Sequence, residues 1–316
     1  MKKLLKVFAG LAVVVLVGVL FLVYQYGPNF NIFLFPPSAQ KYGEIAISHM
    51  ENGLYAHGEE WNQTKENALQ QMENAEEYED TYPILEEAIQ VAGGDHSFFV
   101  YPDEQTNDNP ANAFPTATIE ENILILNIPA FGSPDMNENQ EYADTLNHAI
   151  QNETYQGIIV NLANNTGGDM GPMVAGISSL IPDGTVVKFQ YSNDLADEAI
   201  LEDGTITGGG TSVTVEPAEK VSDVPVAVVI NELTASSGEM TALAFKGLEN
   251  VQFFGENSLG FTSGNSQIEL YDGTIMQLTT ATIIDRTGTK YENIPVEPDV
   301  HTKTPIEDAK KWINNQ

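Results

Sequence analysis

The apolar positions of the chain begin with an unbroken run, Val7 to Tyr24 (VFAGLAVVVLVGVLFLVY), which Leu4 and Leu5 extend. Such a run is about as long as a helix needs to cross the hydrocarbon core of a bilayer. Lys2, Lys3 and Lys6 precede it, and no further lysine or arginine occurs until Lys41. By the tendency of basic flanks to stay inside, the N-terminus is expected in the cytosol and the remaining chain outside the cell. The hydrophobic segment is long and no small-x-small cleavage site stands before Gln25-Tyr26-Gly27-Pro28, so an uncleaved single-pass anchor is expected rather than a removed signal peptide.

The pattern then changes period. Ala46, Met50 and Leu54, followed by Leu69, Met72 and Ala75 and by Ile84, Leu85, Ala88 and Ile89, recur at three- and four-residue steps among Glu and Gln. This spacing predicts amphipathic helices, which Gly93-Gly94 stops. Asp95-His96-Ser97 and a short strand, Phe98–Val100, follow directly. Asp103 to Thr118 has the Asn, Pro and Thr content of a surface loop. Strands and helices alternate after it: strand Ile123–Ile128, a helix near Gln140–Asn152, strand Gly157–Leu162, a helix near Met173–Leu180 and strand Val186–Tyr191. A Gly-rich antiparallel section has turns at Asp203-Gly204 and Gly208-Gly209-Gly210. Strand Val224–Asn231, a helix near Gly238–Gly247, strand Val251–Gly255, a hairpin around Tyr271-Asp272-Gly273 and a helix at Pro305–Asn315 complete the chain. Alternation of this kind predicts an α/β core. The expected segments are 1–27 for N-terminus and anchor, 28–100 for a juxtamembrane and helical section, 101–118 for a loop and 119–316 for the core.

Charge adds a constraint on partners. Of 316 residues, 13 are Lys or Arg and 45 are Asp or Glu, a net charge of −32; with the three N-terminal lysines set apart, the part from Pro28 onward carries 10 − 45 = −35. From Glu66 to Val187 there is no Lys or Arg. Nucleic acid is excluded as a partner by this balance, since phosphate recognition needs clustered Lys and Arg. Two readings of the acidity stand: a solvated surface that confers solubility, and a groove that attracts a cationic substrate.

The absence of cysteine removes disulfides, a thiol nucleophile, Cys-ligated metal and a lipid-modified cysteine. His49, His57, His96, His148 and His301 are scattered, with no HExxH frame, and Asp103 to Asn109 lacks the central Gly and closing Glu of a calcium loop. No metal or other cofactor is expected, and any nucleophile must be oxygen or nitrogen.

Two segments look suited to chemistry. Asn164-Asn165-Thr166-Gly167-Gly168-Asp169-Met170 follows strand Gly157–Leu162, and a glycine pair there can turn backbone N–H groups outward toward an oxyanion. Thr234-Ala235-Ser236-Ser237-Gly238-Glu239-Met240 joins strand Val224–Asn231 to a helix, with small neighbours that allow a sharp turn and an exposed hydroxyl. Taken singly, the first is equally a tight turn and the second equally a Ser N-cap with Glu239 in the first turn.

Together, GIIVNLANNTGGDM, VAVVINELTASSGEMTALAF and NIPVEPDV resemble the glycine-rich, nucleophile and closing segments of the tail-specific or C-terminal processing proteases, from about Ile119 to the C-terminus. That resemblance implies a crotonase-like α/β peptidase core. The chain departs from the main branch twice: too few residues separate Phe99 from Ile123 for the usual PDZ domain, and Phe261 in GENSLGF stands where the family carries its catalytic lysine. Lys246 is expected to face solvent. AGGDHSFF, TASSGEM and LGFTSGN resemble one branch in particular, the nisin resistance proteins, which are membrane-anchored, PDZ-free serine peptidases with a helical N-terminal section.

The resemblance implies Ser236 as nucleophile, a choice over Ser237 that the residues alone do not make, and His96 as general base. It implies an oxyanion hole from the N–H of Ser237 with that of Gly167 or Gly168. Asp95, Glu239 or no carboxylate orients His96. Asn164, Met170, Met173, Glu239, Phe261 and Thr262 are candidates for the substrate groove, and the remaining histidines are assigned to structure or surface. The implied substrate is nisin or a related cationic lanthionine peptide, cut near its C-terminus outside the cell to give resistance. The alternatives are a broader tail-specific peptidase of extracellular proteins and a non-catalytic protein that sequesters the antibiotic.

Overall fold

A computed structural model describes residues 2–30, 32–102, 113–217 and 219–316, with side chains from Gly10 onward, Asn29 excepted. Most of the expected loop 103–118, including the calcium-like stretch Asp103 to Asn109, lies outside the described residues. Along the chain come α1 (Lys2–Tyr26), α2 (Ala39–Met50), α3 (Gly58–Gln71), α4 (Tyr82–Gly93), β1 (Phe98–Val100), β2 (Thr116–Glu120), β3 (Ile123–Asn127), α5 (Met136–Asn152), β4 (Gly157–Asn161) and α6 (Met170–Gly176). Then follow β5 (Gly184–Tyr191), β6 (Ala196–Glu202), β7 (Thr205–Thr207), β8 (Val213–Thr214), β9 (Val226–Ile230), α7 (Ser237–Leu243) and β10 (Val251–Gly255). The last elements are β11 (Ser263–Glu269), β12 (Ile275–Asp285), β13 (Lys290–Tyr291), β14 (Val300–His301) and α8 (Pro305–Ile313). The architecture is mixed α/β with N-terminal helices. Among the described residues no helix is long and apolar enough to cross a membrane; the expected anchor begins at Val7, ahead of the described side chains.

Packing divides the chain into two units, Met1–Asn107 with Asn265–Thr280, and Asp108–Gly264 with Ala281–Gln316. The segment 119–316 expected for the core contains 265–280. In the first unit α2, α3, α4 and the turn after α3 bury Tyr42, Trp61 and Ala68 together with Ala46, Met50, Leu54, Met72, Leu85, Ala88 and Ile89 of the expected stripe, while Leu69, Ala75 and Ile84 of that stripe are partly exposed. Residues 275–277 of β12 pair antiparallel with β1. The hairpin tip explains why 265–280 belongs here. Asp272 accepts hydrogen bonds from the hydroxyls of Tyr42 (3.1 Å), Tyr82 (2.7 Å) and Thr274 (2.8 Å) and from the Thr274 N–H (3.0 Å). Burial, and then the nearby carboxylate, holds both tyrosines in the neutral donor form.

The second unit is built on a six-stranded sheet in the order β14-β10-β9-β4-β3-β2, parallel except where β2 pairs antiparallel with β3. Its strands are apolar on both faces, as parallel strands covered on both sides must be. Leu124, Leu126, Ile158, Val160, Val226, Val228 and Ile230 face a core shared with α5, α6 and α7, and Ile123, Ile125, Ile159, Ala227, Val229 and Phe254 face Ala309 and Ile313 of α8. Residues 281–285 of β12, with β5, β6, β7 and β8, form an antiparallel layer. Asp203 and Gly204, both at positive φ, make its β6–β7 turn.

The consequential pairing is β4 with β9. These strands, far apart in sequence, run side by side and parallel, so the turns at their C-terminal ends emerge at one edge of the sheet. Those turns carry the two candidate segments, and such an edge is where open α/β sheets place their ligands.

Removing the Asp272 carboxylate should leave the Tyr42 and Tyr82 hydroxyls without their acceptor. In equilibrium urea unfolding, Asp272→Ala is expected to lose about 3 kcal/mol and Asp272→Asn, which keeps one acceptor oxygen, distinctly less. Equal, negligible losses in both variants would show that the hairpin tip is not held this way.

Candidate active site

Ser236 ends the turn between β9 and α7 at φ 52°, ψ −121°, a backbone conformation that a residue with a Cβ rarely adopts. Its cost, of order 1–3 kcal/mol, must be met by surrounding bonds. They are present. The Ser236 N–H donates to Glu239 Oε2 (2.8 Å), and the Ala235 N–H donates to the carbonyl of Asn165 (2.8 Å). Thr234 Oγ1 donates to the carbonyl of Leu162 at the end of β4 (2.9 Å). Gly238 fits because a Cβ there would stand 2.6 Å from the Asn165 carbonyl oxygen.

The glycine turn lies directly against this serine. A Cβ on Gly167 would be 2.8 Å from Ser236 Cβ, and Gly168 forms an isolated parallel bridge with Phe131. Asn165, fully buried, ties the turn together: its Nδ2 donates to the carbonyl of Ile128 (2.9 Å) and its Oδ1 accepts the Gly167 N–H (2.9 Å). The Gly167 N–H is therefore engaged, whereas that of Gly168, which is exposed, has no hydrogen-bond partner among the described residues. The two serines are also distinguished. Ser237 Oγ donates to the Gly168 carbonyl (2.7 Å), clamping one turn to the other, while its N–H lies in the first turn of α7, where no intrahelical acceptor exists.

Glu239 anchors the underside of the site. Fully buried, it receives the Ser236 N–H on one oxygen and, on the other, the Gly260 N–H (2.8 Å) and the Ser258 hydroxyl; the Phe261 N–H also donates to the carboxylate. Ser258 Oγ in turn accepts the Val296 N–H (2.7 Å). Burial pushes the Glu239 carboxyl up to about 7 against these donors, which favour the charged form. The Phe261 N–H thus helps hold Glu239.

Several candidates for the groove lie buried. Met170 and Met173 are buried in the core, because α6 is buried along its whole length. Glu239 and Thr262 are buried too, Thr262 through its hydroxyl's donation to the carbonyl of Ile294 (2.7 Å). Phe261 is half-buried, and Asn164 is exposed at φ 65°, exchanging hydrogen bonds with Asn231. Lys246 does not simply face solvent: it lies half-buried, with Nζ 3.8 Å from the centre of the Phe253 ring and donating to the carbonyl of Glu297. The sequence reading missed Asn165. The adjacent pair Asn164-Asn165 before the glycines was its only signal, and nothing in the pair says which one turns inward.

His96 belongs to the first unit. Gly94, at φ 74°, ends α4 and turns the chain, and Gly93 leaves room for Ser97, whose Oγ would be 2.0 Å from a Cβ there. Ser97 Oγ accepts the Thr279 N–H (2.9 Å), and Asn265 Nδ2 donates to the carbonyl of His96 (2.8 Å). Burial holds the His96 imidazole down at about 4, so it is neutral at physiological pH. Asp95, His57, His148 and His301 are exposed, and His49 is half-buried near the end of α2.

A serine strained at a strand-to-helix turn beside a glycine pair is an arrangement that acyl-transfer sites use. The comparisons give that class a family. Residues 122–302 match the model of Peptidase family S41, and the chain belongs to that family of serine peptidases. It is 40% identical over 297 residues, 93% of each chain, to the Nisin-resistance protein of Lactococcus lactis subsp. lactis. Among solved structures, a lipoprotein from Streptococcus agalactiae is 32% identical with a TM-score of 0.81, the match covering 90% of this chain and 99% of that one. The photosystem II D1 C-terminal processing protease shares the fold at 15% identity, with a TM-score of 0.57 over 88% of this chain and 98% of its own.

The raised Glu239 carboxyl has a consequence for stability. Its pKa is higher folded than unfolded, so its favourable contribution is complete below about 4.5 and is lost as pH rises through about 7. Measured against Glu239→Gln, the native chain should therefore lose unfolding free energy between those pH values and level off above them. A difference independent of pH would contradict the burial of an ionisable group at this point.

Proposed function

We propose that the chain is a membrane-tethered extracellular serine endopeptidase that cuts nisin or a related lanthionine peptide near its C-terminus and so gives resistance. The observation that carries the reading is the left-handed Ser236 pressed against the glycine turn, with Ser237 committed to clamping that turn. The substrate is supported by the identity to the Nisin-resistance protein along nearly the whole chain. Anchoring rests on the uncharged run Val7–Tyr24 within α1 and the lysines before it.

In this reading Ser236 Oγ attacks the scissile carbonyl and passes its proton to His96, which is neutral and thus ready to act as a base. The N–H groups of Ser237 and Gly168 stabilise the oxyanion; Gly167, whose N–H is bound to Asn165, does not take part. His96 then protonates the leaving amine, and water attacks the acyl-enzyme while returning a proton through the same imidazole. Glu239 keeps Ser236 in place and does not touch substrate. Asn164 and Phe261 remain candidates for the groove. The net charge of −35 from Pro28 onward favours capture of a cationic peptide held at the same membrane.

Mass spectrometry of nisin incubated with the full chain in detergent or vesicles should show a shortened peptide, and Ser236→Ala should slow its appearance about a thousandfold or more. Cleavage should weaken as salt rises if the acidity aids capture. Preferential cutting of unmodified C-terminal peptides would favour the broader tail-specific peptidase. Protection of cells that persists with both Ser236→Ala and His96→Ala would favour sequestration.

The pH profile tests the base. Activity through His96 needs the neutral imidazole, so kcat/KM should fall only as pH drops toward about 4. That acid limb should persist in Glu239→Gln, whereas a limb centred near the ordinary histidine value, 6.5, would count against His96 in this environment.

A further inference from the structure

We propose that the segment following α1 is a membrane-interface face, with Phe30, Ile32, Leu34 and Phe35 set into the headgroup layer of the bilayer. The inference rests on α1 being the membrane anchor, and goes beyond it by assigning a second contact with lipid. From Val7 to Gln40 the chain has no charged residue, although charged residues are 18% of the whole. A segment that only connected an anchor to an acidic body would have no reason to stay free of charge after the helix ends.

The geometry gives this segment two sides. After α1 the chain makes a single 3-10 turn, Gly27–Phe30, closed by the Ile32 N–H donating to the Gly27 carbonyl (2.9 Å). On the inner side Phe33 packs edge-on against Tyr271, with ring centres 4.9 Å apart, and Tyr78 donates its hydroxyl to the Pro37 carbonyl (2.8 Å). Those contacts fix the segment to the first unit. The outer side has no such cover: Phe30 is 76% exposed, Phe35 73% and Ile32 54%, with Leu34 also exposed. Large apolar side chains so displayed and so close together mark an interaction surface.

Distance selects the partner. Four residues of 3-10 helix rise about 8 Å, close to the roughly 5–7.5 Å depth of one headgroup layer. Phe30 therefore stays within the interface of a bilayer spanned by α1, and the Ile32 N–H bonded to the Gly27 carbonyl keeps the next residues near the same level. Aromatic side chains are favoured at this depth. An anionic surface would repel the acidic body, so the contact is apolar and does not require acidic lipid.

The test uses the full chain reconstituted in phosphatidylcholine vesicles, with Phe30→Trp and Phe35→Trp read as difference emission against the unsubstituted chain, whose Trp61 and Trp312 supply the baseline. The exposed positions tolerate the larger ring. Added emission that is shifted to the blue, quenched by lipids brominated close to the headgroup and protected from acrylamide is the expected result. If the chain floats with the vesicles but the added emission is that of indole in water, the interface face is wrong and the anchor stands. If it is blue-shifted yet untouched by brominated lipid, a protein surface such as a second copy covers the patch, and the proposal is overturned. If the chain does not float with the vesicles, the anchor reading fails and this inference fails with it.

Discussion

The second unit depends on one buried carboxylate. Glu239 accepts N–H groups from Ser236, Gly260 and Phe261 and the hydroxyl of Ser258, and with those bonds it holds a serine backbone in a conformation that would otherwise relax. Ser258 passes the constraint on to Val296, and the Leu259 N–H donates to the Thr234 carbonyl (2.9 Å) just before the serines. Segments 234–239, 258–261 and 294–296 therefore form one hydrogen-bonded body. An apolar residue at 239 would strand three peptide donors in the interior, and such unpaired groups are among the costliest defects a core can hold.

The sheet supplies the other half of the arrangement. β4 and β9 are neighbours, so the glycine turn and the serine turn leave the same edge and can be sewn together by Ser237 and Asn165. The clamp works at van der Waals limits. Gly167 against Ser236 and Gly238 against Asn165 leave no room for a methyl group, which explains glycine at both places independently of any role in binding. The strain at Ser236 is thus a local property of a rigid frame, which suits the role proposed for it because no reorganisation is needed at the moment of reaction.

Much of this was legible from residue patterns. β1 and β10 begin and end where the alternation and the glycine stops put them, and the stripes of α2 and α4 face inward as their spacing requires. What periodicity could not supply was direction within short or fully buried pieces. Met170 and Met173 looked available for substrate because α6 has no polar face to show which way it points; the helix is buried all round. Gly167 and Gly168 are alike in sequence, and only the bond from one of them to Asn165 separates them. The membership of 265–280 in the first unit hangs on Tyr42 and Tyr82 finding Asp272, pairings across about two hundred residues that no local signal announces.

The acidity has a narrower meaning with the fold described. It belongs to a peptidase of a family whose members act on polypeptides, and it is borne by the part of the chain beyond the uncharged stretch. The central claim is that Ser236, and not its neighbour, is the nucleophile. Labelling the full chain with a fluorophosphonate, followed by peptide mass spectrometry, tests this directly. The account predicts a stoichiometric adduct on Ser236 that is absent from Ser236→Ala and still forms in Ser237→Ala. An adduct on Ser237, or labelling that survives in Ser236→Ala, would contradict it.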